Sequence, residues 1–394
     1  MPFYPKCPAT TPTSSLILDL QQKLVQKSGQ EAGQVSRADV IAHIFHPIHR
    51  SILENKNIKV EKFIVDCIPS AESDELCELA KGVSRTLNRF WVAQNLLAAP
   101  KRDAKSLTAL SECISLLRPM ERSWLGMSLI SAQESDATVL EVVARHLYFY
   151  PREGLSATAQ IIITSPKTDA TVLESLAVAS FSHYCAPEHR CSINLGIIAS
   201  PKVDERSLLT ISRNLSQFTG QERKQIVFAL ISSPKLNSEI LLEAAALPIR
   251  YEEAQQLSVI QAIIRSDKCT PEIIKALSYG ILEQRKTQRL PIIKELAGSE
   301  NMRPDALKSI ADKLNAFPPA EQPLIAQMLM ESPQADEGLA DIITRKIISC
   351  ETTQRPRIAN LVLAFNKLGS ETRRIAQTFV NPTGRAAYTF SPAM

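Results

Sequence analysis

The sequence predicts an all-α chain: an α-solenoid (superhelix) of about nine two-helix repeats of 33 residues, preceded by an N-terminal helical cap. Three observations carry this expectation. A 33-residue period runs along most of the chain, apolar residues inside each period follow helical spacing, and a proline turn with a helix-capping residue marks each junction. Self-similarity at such a period is the signature of stacked repeats, each too small to bury its apolar face alone.

The period is clearest in four aligned segments: AAPKRDAKSL (98–107), TSPKTDATVL (164–173), ASPKVDERSL (199–208) and SSPKLNSEIL (232–241). Taking the capping position as an anchor gives Asp103, Asp136, Asp169, Asp204, Asn237, Thr270, Arg303, Asp336 and Gly369. Successive anchors lie 33 residues apart, except for 35 between Asp169 and Asp204, where one unit carries a two-residue insertion.

Each column of the alignment has a physical role. Asp or Asn at the anchor accepts hydrogen bonds from the unpaired amides that open the next helix. Three residues earlier, Pro100, Pro166, Pro201, Pro234 and Pro333 stop the preceding helix. Leu107, Leu140, Leu173, Leu208, Leu241, Ile274 and Leu307 stand four residues after the anchor. Leu110, Val143, Leu176, Ile211, Ala244, Leu277, Ile310 and Ile343 stand seven after it, on the same helical face. The next position is small (Ser111, Ala144, Ala177, Ser212, Ala245, Ser278, Ala311), which lets neighbouring helices approach. A second helix is read from Val92, Leu125, Ile193, Ile226, Val259, Ile292, Ile325 and Ile358, and it ends in pairs such as Ile162-Ile163 and Leu230-Ile231. Polar breakers such as 118–122, 218–223 and 317–321 separate the two helices. Each unit is therefore helix A, a turn, helix B and a Pro-Lys turn.

The ends depart from this grid. Residues 1–13 are expected to be disordered, and 14–84 to hold helices over 14–28 and 36–54 plus a degenerate cap repeat over 58–84. The repeat solenoid is placed at 85–380, with a flexible tail over 381–394.

Composition agrees and excludes other classes. Apolar residues make up 44% and charged residues 22%, while glycine numbers only 12, which favours helices over tightly turned sheet. A net charge of +4 is mild for 394 residues and argues against a dedicated nucleic-acid binder. No apolar run is long enough to span a bilayer. The first fifteen residues lack the charged-then-apolar pattern of a secretory signal, and the eight cysteines form no CxxC pair. A reduced, cytoplasmic, bacterial setting is the expectation, with export by a specialised secretion system as an alternative.

The 33-residue plan, with Pro and Asp at the inter-unit turn, resembles HEAT-like and leucine-rich-variant α-solenoid repeats and is similar to an uncharacterised bacterial family of such repeats. It lacks the Trp-Leu-Gly-Tyr pattern of tetratricopeptide units and the Thr-Pro-Leu-His opening of ankyrin units. The resemblance covers roughly residues 85–380 and implies the architecture; such families host scaffolds, inhibitors and occasional enzymes.

The leading candidate site lies fourteen residues before each anchor, at the start of helix B. This column holds Arg89, Arg122, Leu155, Arg190, Arg223, Gln256, Arg289, Gln322 and Arg355. The macrodipole opposes arginine at a helix N-terminus, so each guanidinium needs a partner. Either the column recognises an acidic or phosphate-bearing ligand, or it pairs with local acids such as Glu121 and Glu222 or with helix A of a neighbouring unit. Lys101, Lys167, Lys202, Lys235, Lys268 and Lys367 form a second column, explained by charge at helix C-termini. Trp91 and Trp124 share a third, and either fill the core between early repeats or anchor a partner. His183, Cys185, His189 and Cys191 fall within nine residues at the insertion, in a spacing unlike familiar zinc motifs. His43, His46 and His49 with Asp39 are a weaker cluster, interrupted by Pro47.

No P-loop, dinucleotide fingerprint, nucleophile elbow or HExxH helix is present. The expected function is a non-enzymatic scaffold or adaptor that binds a protein partner, acidic in character, through its groove. It needs no metal or other cofactor, and its partner-binding residues are Arg89, Arg122, Arg190, Arg223, Arg289, Arg355, Trp91 and Trp124. The alternatives are a nucleic-acid-binding HEAT-like protein of the DNA-repair type and a bacterial effector. Oligomeric state and pathway are not legible.

Overall fold

The computed structural model describes residues 12–28, 35–46, 59–183, 185, 187–246, 253–279 and 286–380. Among these the fold is all-helical, and the chain divides into two compact units, Met1–Ser207 and Leu208–Met394.

In the first unit the helices are α1 (Pro12–Ser28), α2 (Arg37–Phe45), α3 (Val60–Cys67), α4 (Ser73–Lys81), α5 (Arg89–Leu97), α6 (Ala104–Ser111), α7 (Pro119–Ser131), α8 (Ala137–Arg145), α9 (Arg152–Thr164), α10 (Ala170–Ser180) and α11 (Pro187–Ala199). They form two layers. α2, α4, α6, α8 and α10 pack in succession as the A layer, and α3, α5, α7, α9 and α11 as the B layer. Helix α12 (Glu205–Arg213) crosses the division between the units.

The second unit has the same plan. Its B layer is α13 (Gly220–Ile231), α15 (Glu253–Ile264), α17 (Lys286–Ala297), α19 (Gln322–Met330) and α21 (Arg355–Leu363). Its A layer is α14 (Ser238–Ala245), α16 (Pro271–Tyr279), α18 (Pro304–Ala311), α20 (Glu337–Ile347) and α22 (Ser370–Val380). Within each unit the pairs stack as in an α-solenoid.

The anchor residues cap the A helices as the sequence predicts. The side chains of Asp103, Asp136, Asp169, Asp204, Asn237 and Asp336 accept from the amide three residues on, at 2.7–3.1 Å. Arg303 makes no side-chain cap, and Pro304 opens that helix instead. The apolar columns are buried throughout, from Leu107 and Leu110 to Leu307 and Ile310. In the small column, the buried hydroxyls of Ser111, Ser212, Ser278 and Thr344 donate to carbonyls three or four residues back, so close packing leaves no donor unpaired. Ion pairs such as Lys275–Asp305 and Lys308–Asp336 cross between neighbouring A helices; exposed as they are, each contributes under about 1 kcal/mol.

The N-terminal region differs from expectation in phase. Residues 60–81 are a B helix followed by an A helix, not one degenerate pair, because α3 packs against α5 and α4 against α6. The layering therefore reaches back to α2. Helix α1 begins at Pro12, just inside the segment expected to be disordered. Residues 1–11 and the tail 381–394 lie outside the described residues, as do 47–58, which include part of the expected 36–54 helix.

Candidate functional site

The arginine column sits at the first turn of helix B, directly after a short connection that often takes one 3-10 turn (Ile114–Leu116, Leu147–Phe149, Leu215–Gln217, Leu314–Ala316). Such a connection ends with carbonyls that no helix satisfies. The column supplies their donors. Arg122 Nε donates to Leu117 O at 2.7 Å, Arg190 Nη2 to Cys185 O at 3.1 Å, Arg223 Nη2 to Phe218 O at 2.7 Å and Arg355 Nε to Cys350 O at 3.0 Å, each five residues back. A second set lies seven or eight residues back: Ser115 O for Arg122, Ser182 O for Arg190, Leu215 O for Arg223 and Ile348 O for Arg355. Gln322 performs the shorter of these roles, its amide donating to Phe317 O at 3.0 Å.

Two of the arginines also reach into the next repeat. Arg89 Nη1 donates to Leu116 O at 3.0 Å, and Arg122 Nη1 to Phe149 O at 2.9 Å, with its guanidinium 5.1 Å from the Phe149 ring centre. The second bond explains the gap in the column. Leu155 cannot serve the turn at 147–149, and Arg122 serves it from the repeat before. Arg289 is half-buried and is not without a partner.

The expected pairing with Glu121 and Glu222 is not what forms. Glu121 accepts from the Arg118 amide, and Glu222 from the amide and hydroxyl of Thr219, so each closes the start of its own helix. The lysine column follows the same logic at the other turn. Lys167 Nζ donates to Gln133 O at 3.2 Å, and Lys202 Nζ to Pro166 O and Thr168 O at 2.8 and 2.7 Å.

The tryptophans are not core residues. Trp91 is 43% exposed and Trp124 41% exposed, on the outer face of the B layer. The same column elsewhere holds Ala157, Ser192, Gln225, Leu324 and Arg357, all exposed, and Ser258 and Pro291, both half-buried. Around the indoles lie further apolar side chains open to solvent: Leu87 at 98% and Met120 at 77%. Met120 stands four residues before Trp124 on α7, hence on the same side, and Leu87, just ahead of α5, lines the same cleft as Trp91. Phe90 joins the two helices, its ring edge-on to Trp124 with centres 5.1 Å apart. Beside Trp91 a cleft of about 400 Å³ opens between α3 and α5, with Val65 and Leu87 on its walls and Lys59 and Lys62 among its rim residues. Sequence reasoning found the tryptophans but not Leu87 or Met120. Their signal was their apolar character at the polar breakers before helix B.

The insertion brings no ligand set together. Cys185 and Cys191 are buried, His183 is exposed, and His189 Nδ1 lies 2.7 Å from Ser156 Oγ. Burial raises the Cys185 thiol above its ordinary range. No group of three or more His, Cys, Asp or Glu side chains is placed to hold a metal among the described residues. Nor, among those residues, does a carboxylate orient the other nitrogen of His189, so the Ser156–His189 contact lacks the third member of a hydrolytic triad. Asp39 is occupied in capping α2 from Ser36, and His49 lies outside the described residues. No described helix is long and apolar enough to cross a membrane.

No protein-family model matches the chain, and no curated protein matches it. Among solved structures, a chain of "Homology model of the full-length AP-3 complex in an intermediate open conformation" aligns with 95% of this chain and 82% of that one, at 13% identity and a TM-score of 0.35. At that score the likeness carries no argument. What stands on the chain's own geometry is a two-layer, all-helical repeat fold.

Proposed function

We propose that this protein is a non-enzymatic scaffold that binds another protein, and that its contact surface is the outer B face of the first unit around Trp91 and Trp124. One observation carries the reading: large aromatic side chains stand in a column that is small, polar or charged in most other repeats, and solvent reaches them. Single exposed apolar residues need no explanation, but a contiguous group on adjoining helices does. A tryptophan presents up to about 250 Å², so 40% left exposed is roughly 100 Å², or about 2.5 kcal/mol of burial not realised within this fold. Two such indoles on rigid helices, with Leu87 and Met120 beside them, have the make-up of interface anchors.

In this reading the arginine column contributes indirectly. It holds the turns that present the B face and, bonded to neutral carbonyls at Arg89 and Arg122, lends that face positive charge. The test is affinity capture from native lysate with the wild-type chain and with the double variant Trp91→Ala/Trp124→Ala, identifying proteins by quantitative mass spectrometry. A specific protein retained by wild type and depleted at least about tenfold by the variant is expected. Identical sets from both, with the variant's helical circular-dichroism signal intact, would remove the proposal.

A further inference from the structure

We infer that the first unit docks on an anionic lipid surface through the edge formed by its connections from helix A to helix B. The inference goes beyond the protein-binding reading and does not depend on it. That reading concerns the outer face around the indoles, this one the turns below them. Three apolar side chains stand at these turns: Leu87 is 98% exposed, Met120 77% and Leu116 38%. The connections at the opposite edge of the unit (67–75, 98–105 and 131–138) expose no large apolar side chain among the described residues. Exposed apolar groups gathered in one place mark a site of contact with protein or membrane.

Charge follows the same division. Residues 82–92, 112–122 and 145–153 hold six arginines (Arg85, Arg89, Arg118, Arg122, Arg145 and Arg152) against three glutamates, a net of +3. Glu112 lies 3.9 Å from Arg145, Glu121 is occupied at the Arg118 amide, and Glu153 is exposed. Arg89 and Arg122 bond to turn carbonyls, while Arg118 and Arg152 are exposed with no ion pair among the described residues. The nearby Lys59, Lys62 and Lys81 leave this balance unchanged, being offset by Glu61, Asp66 and Glu78. The three opposite connections hold three cations against six carboxylates, a net of −3.

A bilayer suits this combination better than a folded partner. A protein must build a socket round a side chain left as bare as Leu87, whereas lipid closes over each tip without a matching shape. Met120 lies in the first turn of α7, and Trp124 stands four residues on, about 6 Å further along the axis. Aliphatic tips with indoles and guanidiniums one turn behind follow the order of acyl boundary and headgroup level. Attraction of the arginines to anionic lipid adds to the burial of the tips, and stable anchoring takes both.

The test is flotation of the full chain with vesicles of phosphatidylcholine alone and of phosphatidylcholine with phosphatidylglycerol in equal parts. Wild type is expected to bind the mixed vesicles at least about tenfold more tightly than the neutral ones, and less tightly as salt rises. Its tryptophan emission should move to shorter wavelength on binding. Leu87→Ser/Met120→Ser removes two tips and Arg118→Glu/Arg152→Glu reverses two charges; each pair should cost at least about tenfold in vesicle affinity. Circular dichroism of each variant checks that the helices are kept. Wild type that ignores the mixed vesicles at low salt, or a folded Leu87→Ser/Met120→Ser variant that binds them unchanged, would overturn the inference. Oligothymidylate bound more tightly than the mixed vesicles, and equally well by that variant, would give the arginines to nucleic acid and overturn it too. A lysate protein lost by the same variant, with no vesicle binding by wild type, would sink the lipid surface and leave the scaffold reading standing.

Discussion

Changing Arg223 separates a turn clamp from a binding residue. Its side chain is 5% exposed, and it donates to Leu215 O at 2.8 Å and Phe218 O at 2.7 Å, with Ser216 O at the edge of bonding distance. Leu215 and Phe218 are themselves buried, so water does not readily replace the lost donors. Each buried carbonyl left unpaired costs about 1–3 kcal/mol. Arg223→Ala abandons two of them and the packing of the aliphatic stem, and about 3 kcal/mol of local destabilisation follows after some relaxation. Arg223→Gln should lose about half as much, because Gln322 already shows an amide reaching the carbonyl five residues back. The assay is urea unfolding followed at 222 nm, paired with native-state hydrogen exchange over residues 215–231, since neighbouring repeats open with partial independence. The expected order is wild type, Arg223→Gln, Arg223→Ala. An alanine variant within about 0.5 kcal/mol of wild type, or a glutamine variant no better than alanine, refutes the clamp.

Two further outcomes follow from local geometry. Asp336 caps α20, and although partial burial nudges its carboxyl pKa up, the Lys308 ammonium and the Leu339 amide outweigh that and leave it below the ordinary value. A lowered folded-state pKa gives stability that is complete above the unfolded value near pH 4 and lost as pH falls through the folded one. Asp336→Asn should therefore cost under about 1 kcal/mol at pH 7 and converge with wild type in urea midpoints as pH falls below the folded-state value; a gap that persists in acid contradicts the argument. Tyr150 points its buried hydroxyl at Gly126, where an added Cβ would lie 1.6 Å from the oxygen, and among the described residues that hydroxyl has no hydrogen-bond partner. Gly126→Ala should cost about 1–3 kcal/mol, whereas Tyr150→Phe should be neutral or stabilising by up to about 1 kcal/mol. A phenylalanine variant destabilised by more than that points to a partner for the hydroxyl.

The fold was legible because in a repeat the same physical requirement recurs at the same offset. Asp at the anchor and Leu four and seven residues later imply a cap and a buried face wherever they occur, and the structure places both as read. The site was legible only as columns. Six arginines at one offset show that something at that position needs a guanidinium, and carbonyl and carboxylate acceptors leave the same trace in sequence. The acceptors come from turn geometry, which depends on how Leu117 or Phe218 leaves helix A, and no residue type encodes that. Trp91 and Trp124 were ambiguous for a related reason. Their offset from the anchor fixes a helical angle, but whether that angle faces core or solvent depends on how the B layer is rotated. The polar Ser192 and Gln225 in the same column were the available hint, since such residues stand in the core only where the fold supplies them with a hydrogen-bond partner.

Because the arginines are held by backbone rather than by acids, the column stabilises the fold without neutralising itself. An arginine paired with a carboxylate would leave the B face near neutral; an arginine paired with turn carbonyls leaves a positive charge at the start of its helix, added to the positive end of the dipole. The first unit is where that charge adjoins exposed indoles, through Arg89 beside Trp91 and Arg122 beside Trp124. The structural and recognition readings of the column are thus compatible, and they differ in what a substitution does. Arg122→Met, which keeps the stem and drops the donors, must weaken the turns at 117 and 149 before it alters any partner. Lys62→Glu touches no turn and must alter only the partner. A variant pair that behaved the other way round would mean that the cations at the cleft rim support the fold and that the arginines meet the ligand directly.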